Sequence, residues 1–123
     1  MKSKVEVKVT KYFLKEMKKL AKKFPSLKSD LAKLNETLLL QPQTGTPLGN
    51  GAFKIRLAIK SKAKGKSGGA RVISYLETEL VGVLQNVSEQ NTTVNLISIY
   101  DKSEVASISK EEILFLVRNM EFL

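Results

Sequence analysis

The chain has 123 residues, with 21 Lys and Arg against 12 Asp and Glu, a formal charge of +9, and neither His nor Cys. That inventory excludes imidazole and thiolate catalysis, Cys/His zinc sites and disulfide frameworks, so any acid–base chemistry falls to Lys, Arg, Tyr, Ser, Thr or carboxylates. At 42% hydrophobic residues the chain supports one folded core, and its positive excess favours polyanions as partners.

Val5, Val7 and Val9 alternate with Glu6, Lys8 and Thr10, which predicts a strand with one buried face. Thr10 then caps a helix whose Phe13, Met17, Leu20 and Phe24 share a face opposite the lysines, and Pro25 ends it. Ser26 is the expected cap of a second helix carrying Leu27, Leu31, Leu34 and Leu38 on one stripe. The two helices read as an antiparallel hairpin. Residues 41–51 hold Pro42, Pro47, Gly45, Gly49 and Gly51 and read as turns.

The clearest strand follows, with Phe53, Ile55, Leu57 and Ile59 on one face and Lys54, Arg56, Ala58 and Lys60 on the other. Residues 60–69 read as a basic Lys/Gly loop. Ala70–Leu76 and Val94–Tyr100 are further strands; Leu80–Leu84 extends their hairpin and Ser88–Thr92 is expected to turn it. Ser109 and Glu112 form an S-x-x-E capping box before a short helix with Ile113, Leu116, Val117 and Met120. Tyr12, Tyr75 and the phenylalanines are assigned to the core. The order β-α-α-β-β-β-α gives a single α+β domain over 1–123: an antiparallel sheet of about four strands, one face covered by the N-terminal helical hairpin, with a short C-terminal helix.

The charge is concentrated. Between Ala52 and Arg71 stand Lys54, Arg56, Lys60, Lys62, Lys64, Lys66 and Arg71 with no acid among them, and Lys11–Phe24 holds six lysines, Lys18 and Lys22 included, against one Glu. The rest of the chain is net acidic, so the excess describes a localised anion-binding surface. A basic strand face is also the ordinary solvated side of a sheet, and the Lys/Gly loop lacks G-x-x-x-x-G-K-[ST] spacing, which argues against a nucleotide cradle. The opening residues alternate charge with Val, so neither a signal peptide nor a membrane span is expected, and the setting is expected to be cytoplasmic.

An ordered set of features, each unspecific alone, resembles the RelE/ParE superfamily of type II toxin–antitoxin toxins, and within it the HigB-like branch. It comprises the Lys-rich helix Lys15–Lys23, the loop Pro42–Gly49, the strand Phe53-Lys-Ile-Arg56, the segment Lys64-Gly-Lys-Ser-Gly-Gly-Ala-Arg-Val-Ile73, the strand end Ile99-Tyr-Asp-Lys-Ser-Glu104 and the helix after Ser109. The resemblance covers nearly the whole chain. It implies a metal-independent, cofactor-free endonuclease that cuts messenger RNA on the ribosome and is silenced by a cognate antitoxin. Alternatives on the same fold are a DNA gyrase inhibitor and an inactive RNA-binding homologue. Homo-oligomerisation is left open.

The resemblance implies that Lys54, Arg56 and Arg71 form the functional core. Arg56 and Arg71 suit forked contact with phosphate oxygens. Lys54 is the candidate general base, Tyr100 or Lys102 the candidate acid, and Lys60, Lys62, Lys64, Lys66, Lys18 and Lys22 are candidate phosphate contacts.

Overall fold

The computed structural model describes residues 2–62, 69–83 and 86–123. Strand β1 (Lys2–Val9) leads into helices α1 (Lys11–Lys23) and α2 (Leu27–Leu40), then β2 (Thr46–Gly49), β3 (Ala52–Leu57), a 3-10 turn at Lys60–Lys62, the long strands β4 (Ala70–Val83) and β5 (Asn86–Asp101), and α3 (Lys110–Arg118). The strands form one sheet in the order β1-β5-β4-β3-β2.

The α+β class and the antiparallel pairing of β3, β4 and β5 agree with expectation. Two features correct it. The sheet is five-stranded and mixed: β1 pairs in parallel with β5, Val5 opposite Thr92 and Val9 opposite Leu96. Such a direction is set by the helical hairpin, which carries the chain back over the sheet before it can re-enter. The fifth strand lies inside the Pro/Gly stretch, where Thr46 and Pro47 pair with Lys54 and Phe53 at the sheet edge, the position that tolerates proline. The expected turn at Ser88–Thr92 is instead part of β5. Backbone groups there are paired on both sides, Asn91 facing Lys4 on β1 and Glu79 on β4, and this double ladder outweighs the polar composition.

Thr10 caps α1 as its hydroxyl accepts from the Phe13 N–H at 3.1 Å, and Ser109 caps α3 by accepting from the Glu112 N–H at 3.1 Å. Ser26 sits before α2 but does not cap it through its side chain. The helical hairpin covers one sheet face. Phe13, Leu20, Leu27, Leu34 and Leu38 pack there against Ile55, Leu57, Ile59, Val72, Val94, Leu96 and Ile99. A second, smaller cluster lies on the opposite face, where Ile113, Leu116 and Val117 of α3 meet Ala52, Ile73, Ile97 and Tyr100.

At Ile97 the β5 ladder slips by one residue, so Ile73 faces Ser98 while Ser74 faces Leu96. The bulge lets Leu96 and Ile99 both serve the hairpin-side core while Ile97 and Tyr100 serve the other. Three aromatics assigned to the core are exposed: Tyr12, Phe115 and Phe122. Tyr12 follows the exposed start of α1, Phe115 lies off the stripe of the C-terminal helix that packs on the sheet, and Phe122 lies beyond the end of that helix. Among the described residues no helix is long and apolar enough to cross a membrane.

Candidate functional site

Strand alternation places Ile55 and Leu57 in the hairpin-side core, which leaves Ala52, Lys54 and Arg56 for the opposite face. Register then builds a row across three strands. Arg56 of β3 stands opposite Arg71 of β4, and Arg71 stands opposite Tyr100 of β5. Side chains so paired have Cβ atoms about 4.5–5.5 Å apart. The adjacent row holds Lys54, Ile73 and Ser98.

In the first row Arg56 is exposed, whereas Arg71 at 6% exposure and Tyr100 at 9% are buried. Two cations directly opposite on neighbouring strands repel one another, and one of them is withdrawn from water. An anion placed between them offsets that repulsion. Arg71 also donates through Nη1 to the Ala70 carbonyl at 3.2 Å, which holds its planar fork against the sheet.

Tyr100 reaches the floor of a cavity of about 210 Å³ between the sheet and the start of α3. Lys54, Ser107, Ile108, Lys110 and Ile113 complete most of its wall. The Tyr100 hydroxyl is buried and lacks a hydrogen-bond partner. Burial pushes its pKa above the usual phenol value, while the Arg71 guanidinium and the approaching Ile108 main-chain N–H pull weakly the other way without closing a bond of proper geometry. At neutral pH it is therefore a protonated donor beside a space walled in part by Lys54 and Lys110. Lys110 and Ser107 escaped the sequence reading. The capping box at Ser109 was the available signal, since it fixes where α3 begins and so puts Lys110 at the first helical position.

The other candidates are dispersed. The Lys102 ammonium donates to the Ala106 carbonyl at 2.8 Å, and its main-chain N–H donates to the Gly69 carbonyl, so it ties down the turn leaving β5. Lys60 lies on the hairpin side, its main-chain N–H donating to Asp30 Oδ2 at 3.2 Å. Lys18 and Lys22 are exposed on α1, the helix that packs on the face opposite Arg71, and share a surface groove with Lys28. Lys62 closes the 3-10 turn, and Lys64 and Lys66 lie outside the described residues. Thus Lys54, Arg56, Arg71 and Tyr100 share one face, and Lys60, Lys18 and Lys22 do not.

No family model, no curated protein and no solved structure matches this chain.

Proposed function

We propose that the Lys54/Arg56/Arg71/Tyr100 face binds and cleaves RNA, and that the protein is the toxin of a type II toxin–antitoxin module acting on ribosome-bound messenger RNA in the cytoplasm. The observation that carries the reading is the cross-strand row of two arginines ending on a buried, unpartnered tyrosine hydroxyl, with a lysine in the same cavity. On this reading the fold is a RelE/ParE-like variant with one added edge strand, β2.

Cleavage by the neighbouring 2′-OH needs a proton acceptor, charge stabilisation on the phosphorane and a proton for the departing 5′-oxygen. On this reading the Lys54 amine takes the 2′-OH proton as that oxygen bonds to phosphorus. Arg71 and Arg56 fork onto the non-bridging oxygens, where the charge grows. Tyr100 passes its hydroxyl proton to the 5′-oxygen as the P–O5′ bond breaks, which leaves a 2′,3′-cyclic phosphate and a 5′-hydroxyl. Lys102, held by the Ala106 carbonyl, is not needed as the acid. A cognate antitoxin with an acidic segment is the partner this basic face fits.

Induced expression followed by mapping of cellular RNA 5′ ends tests the reading. Codon-phased cuts that disappear in Arg71→Ala and Lys54→Ala, with folding retained, support it. DNA damage without such cuts assigns gyrase as target, and binding to ribosomes without cuts assigns an inactive homologue; either overturns the nuclease reading.

A further inference from the structure

A second cationic site is built on the hairpin side of the sheet, away from the Tyr100 cavity. Its foundation is Asp30, a carboxylate only 4% exposed near the start of α2. Asp30 Oδ2 accepts from Ser26 Oγ at 2.8 Å and from the Lys60 main-chain N–H at 3.2 Å. Ser26 Oγ in turn accepts from the Ser61 N–H at 2.9 Å and lies 2.9 Å from Ser61 Oγ. These bonds pin the turn at Lys60–Lys62 onto the first turn of α2, which is why Ser26 is not spent as a helix cap.

Lys33 stands almost one helical turn beyond Asp30 and therefore beside the pinned Lys60. Lys60, as near neighbour, holds the Lys33 pKa below the ordinary lysine value. Asp30 and Glu36 act on Lys33 in the opposite sense but more weakly. Among the described residues neither lysine forms an ion pair with a carboxylate. Both line, together with Arg56, a cavity of about 290 Å³ between α2 and the end of β3. The hydrogen-bonded clamp fixes the Lys60 main chain beside α2, and an anion entering between the two exposed ammonium groups offsets their repulsion.

We propose that Lys33 and Lys60 form a binding site for a phosphate-sized oxyanion, positioned by the Ser26–Asp30–Ser61 clamp. The ligand is a phosphate group, free in solution or carried by a nucleic acid. The cavity borders the proposed cleavage row at Arg56, but Lys33 and Lys60 take no part in that chemistry, so variants at these two lysines test the site separately.

Thermal unfolding of the full chain in sodium phosphate and in sodium chloride of equal ionic strength tests it. Wild type is expected to gain about 3–6 °C in phosphate over chloride, in a saturable manner. K33M and K60M lose that selective gain, and neither melts below wild type in chloride, since each removes a repulsion. An equal phosphate increment in wild type and both variants, as general salting-out would give, overturns the proposal, as does no increment in wild type. As a check independent of stability, phosphate titration followed by NMR shifts the ε-methylene signals of Lys33 and Lys60 together; unmoved signals overturn it. Competition of phosphate by a short RNA assigns a nucleic-acid phosphate as the ligand, and phosphate binding uncompeted by RNA assigns the free ion.

Discussion

Replacing Tyr100 by Phe should make the protein more stable and less active. The side chain is 9% exposed and its hydroxyl has no hydrogen-bond partner. Burying a hydroxyl without a well-formed bond to the protein costs about 1–3 kcal/mol. Deleting one oxygen leaves a void that returns only a few tenths of a kcal/mol of penalty, at about 24 cal/mol per Å³. A net gain of about 1–2 kcal/mol follows, or a melting temperature higher by about 3–6 °C for a domain of this size.

The alkaline limb supplies a second readout. Burial raises the pKa of Tyr100 above 10.0, and burial with Glu16 and Glu112 raises that of Tyr12. The unfolded chain then gives up these protons first, so the stability they contribute is complete below about pH 10 and declines as pH rises towards the folded values. Tyr100→Phe removes one of the two contributions, and its advantage over wild type should widen above pH 10. Urea and thermal unfolding from pH 7 to 11 measure both effects. A variant that melts below wild type at pH 7 refutes the orphan-hydroxyl argument, whatever happens to activity. Cleavage should fall by about 10²–10⁴-fold, the usual contribution of one proton-transfer group.

Three further outcomes follow from other parts of the fold. Arg71→Lys keeps the charge but loses the forked geometry, and should abolish growth arrest on induction while the circular dichroism spectrum stays native. A Cβ at Gly69 would lie 2.0 Å from the Leu57 carbonyl oxygen, so Gly69→Ala must push β3 from β4 and should lower stability by roughly 3 kcal/mol in urea titration. Thr10 both accepts from the Phe13 N–H and donates to the Leu96 carbonyl at 3.4 Å, so Thr10→Ala should cost about 1–2 kcal/mol, and an unchanged unfolding midpoint would show the cap to be dispensable.

Features governed by near neighbours were readable from the sequence. Thr10 and Ser109 announced their helices because a capping hydroxyl acts within three residues, and the alternation around Lys54 announced a two-faced strand. What escaped reading depends on distant partners. Nothing local to Val5 specifies that it lies parallel to Thr92, and the paired backbone on both sides of Asn91 overrides a polar run that otherwise looks like a turn. The same holds for the site. Composition placed Lys54, Arg56 and Arg71 in one basic segment and the family resemblance singled them out, but their alignment with Tyr100 comes from register across three strands. Lys102 was drawn to a carbonyl of the following turn, and Lys110 was brought in by the packing of α3. A basic count in one segment could not separate Lys60 from Lys54, although the sheet divides them between its two faces.

β5 lies between β1 and β4 and closes register with residues as far apart in sequence as Lys2 and Glu89. During synthesis, then, β1 leaves the ribosome long before its only partner strand exists. Helices α1 and α2 can form early but have no sheet to cover, and loop closure of that length slows the final assembly. Arg71 meets Tyr100 only when β5 docks. The row from Arg56 through Arg71 to Tyr100 is therefore completed in one late step of folding, so the chain passes most of its synthesis without the tyrosine proposed to act on RNA.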